Sequence, residues 1–290
     1  MRNPILVTGA TGKTGAEVVL DLLEQRLPVR ALVHREDERS TRLAALGAEI
    51  ATGDLLDIDA VGDALADVRR AYFVYPIRPG LIEATTIFAQ AGDETGLDVV
   101  VNMSQISARR TAHSDAARQH WLAERVFDWS PVGAVHLRPT FFAEWLPTNW
   151  QYADGAGLLR LPFGDGRHAP IAATDQARLI AAILANPTGH VGQTYKLHGP
   201  VEMDHHEIAA AMSETLGLPV RYDPVDTDTY AEILRAQGRP EHLIQHLSAV
   251  ALDYRDGVFE GTDDTIERIT GKPPQTVEQY VTANRDLFPT

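Results

Sequence analysis

The residues with the clearest chemical potential lie near the start of the chain, in Gly9-Ala10-Thr11-Gly12-Lys13-Thr14-Gly15. Three glycines at this spacing, after a short apolar run and before an amphipathic stretch, suit a turn that holds a dinucleotide pyrophosphate. Gly9 permits the tight turn, Gly12 lets the backbone approach the phosphates, and Gly15 allows the following helix to pack closely on the strand. Amides at a helix N-terminus, backed by the helix dipole, attract the diphosphate. Thr11, Lys13 and Thr14 fill the positions between and join the predicted contact set. The Gly-x-x-x-x-Gly-Lys-Ser/Thr pattern of a P-loop is absent.

Other candidates follow at intervals. Arg35 stands about 20 residues beyond Gly15, where an acid would bind ribose hydroxyls and favour NAD(H). A guanidinium there suits a 2′-phosphate instead, so NADP(H) is preferred, with NAD(H) possible. Asp54, in Gly53-Asp54-Leu55, is placed either for the adenine edge or as a loop acid or helix cap. Tyr75 and Met103-Ser104-Gln105 each follow a strand-like run. Carboxyl ends of strands are the ligand edge of an open α/β sheet, which makes Tyr75, Ser104 and Gln105 contact candidates.

The elements needed to position these residues are legible as alternating patterns. Strand-like runs at Pro4–Thr8, 29–33, 49–52, 71–74, 99–103 and 134–137 alternate with helical periodicity at 12–24, 39–46, 58–65, 81–94 and 114–128. This alternation predicts right-handed βαβ units and an α/β, doubly wound parallel sheet. Past Arg138-Pro139 the rhythm breaks. Helices are expected over 175–185 and 204–216, a strand over 193–197, and a capping box at 276–279. The expected division is a dinucleotide-binding domain over 1–150, completed by 172–198. A smaller, mostly helical C-terminal substrate or partner region covers 151–171 and 199–290 and walls a cleft.

The chain has 290 residues, a formal net charge of -14 and no cysteine. Acidity disfavours nonspecific attraction to nucleic acid or anionic lipid. The lack of cysteine excludes disulfides, thiolate nucleophiles and Cys-ligated zinc. The 11 histidines show no ligand spacing, so no metal is expected. No apolar stretch has a membrane span's length, and no signal segment precedes Ile5. The reading is a cytoplasmic protein, monomer or homodimer, that binds neither membrane nor nucleic acid directly.

The glycine loop, Val29-Arg30-Ala31-Leu32-Val33-His34-Arg35, Gly53-Asp54-Leu55, His120-x-x-x-Glu124, Leu137-Arg138-Pro139-Thr140-Phe141-Phe142 and Thr270-Gly271-Lys272-Pro273-Pro274 together resemble the NmrA-like family. This is an atypical branch of the short-chain dehydrogenase/reductase superfamily. The resemblance implies a Rossmann fold and NAD(P) binding. It also implies either reduction of quinones, dyes and similar conjugated compounds, or redox sensing without turnover.

Related reductases carry Tyr-x-x-x-Lys on the helix after the fifth strand. Anchored on Glu124, those positions hold Ala116 and His120, so the usual proton donor is missing. His120 is the remaining catalytic candidate, and it either faces the cofactor ribose or substrate or packs beside Trp121. Glu124 either orients His120 or is a solvated helix acid. Hydride transfer without a strong acid fits an electron-poor acceptor whose developing charge is delocalised. Tyr75, Gln105, Phe141, Phe142 and Trp145 are the expected substrate pocket, with Trp150 as a further aromatic. The function expected is NADPH-dependent reduction of a small conjugated acceptor such as a quinone. The alternative is an NADP(H) sensor that binds a partner protein.

Overall fold

Val99–Met103 is buried at every position. A strand covered on both faces belongs between two layers of helices, and a parallel sheet is the arrangement that supplies them. The computed structural model describes residues 3–290. Its elements run β1 Ile5–Val7, α1 Lys13–Glu24, β2 Val29–Val33, α2 Glu38–Ala45, β3 Glu49–Thr52, α3 Ile58–Leu65, β4 Arg70–Phe73, α4 Leu81–Thr95, β5 Val99–Met103, α5 Asp115–Trp129 and β6 Gly133–Pro139. They continue through α6 Trp145–Thr148, β7 Trp150–Ala153, β8 Ala156–Leu161, α7 Ala173–Ala185, β9 Thr194–Leu197, α8 His205–Leu216, β10 Val220–Pro224, α9 Thr227–Ala236, α10 Glu241–Arg255, α11 Thr265–Thr270 and α12 Val277–Ala283. In the first half these bounds lie close to those expected from periodicity.

The main sheet has the order β3-β2-β1-β4-β5-β6-β9. β1 pairs in parallel with both β2 and β4, through Ile5 with Val29 and Ile5 with Arg70. Strand order therefore reverses at β1, which makes the carboxyl ends of β1 and β4 the switch point where this fold places its ligands. The doubly wound parallel sheet expected from the sequence is the one observed.

The chain divides into two units. The first comprises residues up to Arg110, Gln119–Arg138 and Ala173–Tyr195; the second comprises Thr111–Arg118, Pro139–Ala172 and Lys196–Thr290. In the first, Phe73, Phe88 and Phe127 pack edge to face or tilted, with centroids 4.9, 5.4 and 6.4 Å apart. Offset rings of this kind add to the area they bury.

The second unit is largely helical but carries its own sheet, ordered β10-β8-β7. β7 and β8 form an antiparallel hairpin closed by Asp154-Gly155, whose φ angles are 51° and 75°. Two successive left-handed residues match the right-handed twist of the flanking strands, and Asp-Gly is suited to them. Trp150 does not join an aromatic ligand wall. Its ring lies over Gly157, where a Cβ would come within 1.9 Å, and its indole N–H donates to the Pro289 carbonyl at 2.9 Å. It ties the hairpin to the end of the chain. The expected capping box forms at Thr276, and a second opens α8 at Asp204. Among the described residues no helix is long and apolar enough to cross a membrane.

Candidate active site

The glycine loop is built by contacts that exclude side chains. Gly9 has φ of +57°, and a Cβ there would lie 2.6 Å from Val74 Cγ1. The Gly12 N–H donates to the Gly9 carbonyl at 2.8 Å. A Cβ on Gly15 would meet that same carbonyl oxygen at 2.3 Å. Gly15 thus lets α1 sit on the loop itself, a closer contact than the helix-on-strand packing expected. Gly12 caps α1 in extended conformation with no side-chain hydrogen bond to the first-turn amides. A helix start left without a side-chain acceptor suits a diphosphate. Gly12 and Lys13 are exposed, Thr11 is half-buried, and Thr14 and Gly15 are buried.

Beyond β2, Arg35 is exposed and Asp37 caps α2, accepting from the Arg39 and Ser40 amides at 2.9 and 3.2 Å. Arg39 grips the Asp37 carboxylate and reaches back to donate to the Thr11 carbonyl at 3.3 Å. The Arg39 hydrogen bond is the main cause holding the Asp37 carboxyl below its usual range. A second guanidinium therefore stands beside the glycine loop, one the sequence reading passed over. Asp54 closes a turn by accepting from the Leu56 amide at 3.0 Å and lies 3.6 Å from His34 Nδ1.

At the ends of β5 and β6 a polar chain runs from the buried Glu124 to the exposed Asp128. Glu124 is fully buried. It accepts from the Ser104 hydroxyl at 2.6 Å and from Arg138 Nε and Nη2 at 2.8 and 2.5 Å. Arg125 lies 3.5 Å from Glu124 and 2.9 Å from Asp128, which bonds His136, which in turn bonds Asn102 at 3.1 Å. The reading of Glu124 as a solvated helix acid is overturned, because its carboxylate is the counter-ion of Arg138 inside the fold. Ser104 spends its proton on this carboxylate. Hydrogen bonding to Glu124 raises the Arg138 pKa, so the guanidinium stays charged.

Gln105, next along, accepts from Ser107 at 2.7 Å, while its Nε2 is buried without a partner among the described residues. Buried donors are rarely left so, and a ligand atom is one way to satisfy this one. Tyr75 is buried, donates to the Pro79 carbonyl at 3.1 Å, accepts from Arg78 Nε at 3.2 Å, and carries that guanidinium 5.1 Å above its ring. Its hydroxyl also occupies the space a Cβ on Gly80 would need. Ring and hydroxyl are thus committed to shaping the loop 76–80. His120 and Ala116 are both buried along α5.

In the second unit, Phe141, Phe142 and Trp145 come together with Phe163, His168 and His205 around a hollow. Phe141 packs tilted on Trp145 at 5.7 Å and edge-on to Phe163 at 5.0 Å. The three aromatics were legible as a wall; the two histidines were not. The only hint of them in the sequence is a histidine opening α8 after Asp204 and another after Gly166-Arg167.

The profile of the NmrA-like family matches residues 1–282. An NAD(P)H azoreductase of Xenophilus azovorans is 31% identical over 98% of this chain and 99% of its own. Among solved structures, an NADPH-dependent quinone oxidoreductase of Escherichia coli complexed with NADPH superposes with a TM-score of 0.84 at 23% identity, covering 96% of this chain and 99% of that one. NmrA, a negative transcriptional regulator in complex with NAD, gives 0.82 at 14% identity, over 98% of this chain and 96% of that one. Glycine loop, sheet order and the match along nearly the whole sequence agree: the chain belongs to the NmrA-like family.

Proposed function

We propose that this protein is an NADPH-dependent reductase that passes hydride to a small, conjugated, electron-poor acceptor of the quinone or azo type. The observation that carries the reading is the start of α1, where Gly9 and Gly15 leave no room for a Cβ and the N-cap, Gly12, brings no side-chain hydrogen bond of its own. Similarity to an azoreductase over nearly the full length supports the choice of acceptor.

The amides and side chains of residues 9–15 hold the diphosphate, Thr11, Lys13 and Thr14 among them. Arg35 and Arg39 take the 2′-phosphate, since two guanidinium forks offer more charge-assisted bonds than NADH could use. Asp54 shapes the adenine edge through its turn. Ser104 and Gln105 line the nicotinamide end, where the spare Gln105 amide N–H has a donor to give. When bound, the reduced nicotinamide supplies the hydride. Ala116 holds no proton, so the acceptor must delocalise the arriving electron pair itself, which unactivated ketones do poorly. His120 positions the cofactor ribose or the substrate. Residues 1–150 with 172–198 bind the dinucleotide and residues 151–171 and 199–290 form the smaller substrate region; Phe141, Phe142 and Trp145 supply the acceptor's aromatic contacts. The protein works in the cytoplasm as a monomer or homodimer.

Calorimetry with NADPH and NADH, followed by NADPH oxidation with a panel of quinones and azo dyes, tests this. Tight NADPH binding with acceptor-dependent oxidation is expected. Binding without turnover on any acceptor would transfer the reading to a dinucleotide sensor, which the buried alanine at position 116 also suits.

A further inference from the structure

The hollow in the second unit has a hydrogen-bonding side that ring packing does not explain. His168 and Tyr254 are both buried, and the Tyr254 hydroxyl is bonded to His168 Nδ1. His205 stacks on His168 with ring centroids 5.4 Å apart and planes 19° from parallel. Its Nδ1 is buried with no partner among the described residues. Burial chiefly, with His205 and His198 nearby, holds the His168 pKa well below the usual histidine value, so the ring is neutral near pH 7. Burial likewise keeps Tyr254 protonated. With both groups neutral, the hydroxyl donates to Nδ1; the reverse arrangement would bury the hydroxyl proton without an acceptor. His168 then carries its own proton on Nε2. Two buried imidazoles beside a hollow, one with an unused nitrogen, call for a polar ligand atom. The hollow admits the centre of a water-sized sphere over about 10 Å³, roughly one water. That is the size of a carbonyl oxygen or an azo nitrogen.

We propose that His168 is the donor that grips the acceptor, its Nε2–H bonding the carbonyl oxygen or azo nitrogen of a flat conjugated molecule, with Tyr254 as the positioning residue that fixes the tautomer. The inference rests on the reductase reading above and narrows it. Only the heteroatom enters the hollow, while the conjugated plane lies against Phe141 and Trp145. As the acceptor takes up a hydride, the π-electron pair moves onto the gripped heteroatom and the Nε2–H bond to it strengthens. Solvent supplies the proton that completes the two-electron reduction, and His168 keeps its own. A fixed neutral donor acts where charge develops, which is the most effective place for it. Acceptors whose heteroatom keeps an in-plane lone pair free to accept a hydrogen bond are therefore favoured over cationic dyes whose amino nitrogens give theirs to the conjugated system.

The test compares the unmodified protein with His168→Phe and Tyr254→Phe, both of which keep a ring in the cage. With 1,4-naphthoquinone, kcat/KM should fall about 10²–10³-fold in His168→Phe and about tenfold in Tyr254→Phe, while a cationic triphenylmethane dye changes less than about threefold. NADPH affinity by calorimetry should be unchanged. In nitrogen-15 spectra recorded without NADPH, the His168 Nε2–H signal should shift when 1,4-naphthoquinone is added. Undiminished quinone reduction by His168→Phe, equal losses with both acceptors, or an unmoved His168 signal would overturn the proposal. Should no acceptor oxidise NADPH while the signal still shifts, the reductase reading falls and the binding site stands.

Discussion

Two buried polar clusters, one in each unit, are built in opposite ways. The first sets charge against charge: the buried Glu124 pairs with Arg138 and Ser104, and the chain continues outward through Arg125 to the exposed Asp128 and from there to His136 and Asn102. The second buries neutral rings among rings, with His168, His205 and Tyr254 packed against Phe141, Phe163 and Phe259. Opposite charges in contact stay charged across a wide pH range. A neutral imidazole with no counter-ion stays buried only while it stays unprotonated. The buried rings of the second unit are thus the part of the molecule that acid should reach first.

Removing one partner of the buried pair should have the largest effect. Glu124→Ala leaves the Arg138 guanidinium half-buried and unmatched and strips Ser104 of its acceptor, at a cost of about 3–5 kcal/mol. Urea unfolding measures it. A loss near that of an exposed ion pair would erase the contrast between the units.

Acid should next separate the two. Burial pulls the His205 pKa down to about 3 and the His246 pKa down to about 4. Both values lie below that of the unfolded chain, so unfolding takes up protons once pH drops below about 6.5. Stability from these rings is complete above about pH 6.5 and is lost progressively toward the folded values. Between pH 8 and 4.5, His205 alone should cost roughly 2–3 kcal/mol. Hydrogen exchange should show α8 and α10 opening before β4 and β5 as pH falls, and His205→Phe should flatten the response. Simultaneous opening of both regions at every pH would show that the histidines do not set acid stability.

The smallest effect on stability belongs to Arg39, whose pair with Asp37 lies in solvent. Arg39→Ala should leave the Tm unchanged, because exposed pairs contribute little. It should still weaken NADPH binding about tenfold and leave NADH binding alone, since a charge-assisted phosphate bond is lost. Equal weakening of both cofactors would move Arg39 away from the phosphate.

How far the sequence carried each region follows the same division. The βαβ alternation, the glycine loop and the caps at Asp204 and Thr276 were readable because each depends on neighbours within a few residues. The hairpin at 150–161 was not read, although Asp154-Gly155 is its turn signal, because the prolines and glycines around it break the strand pattern. Glu124 was left between two roles, and its pairing with Arg138 was missed, because a helix acid looks the same in sequence whether it faces solvent or an arginine fourteen positions away.

Sequence alone thus determined the parallel sheet and the tight glycine turn after β1, since backbone periodicity and glycine sterics are local properties. Tertiary structure alone decided which polar groups lie inside and what they meet there. Glu124 found Arg138 at the end of β6, and His168 found Tyr254 from 86 positions away. Burial and partnership are set by residues distant along the chain, and the free energy of an ionisable side chain depends on both.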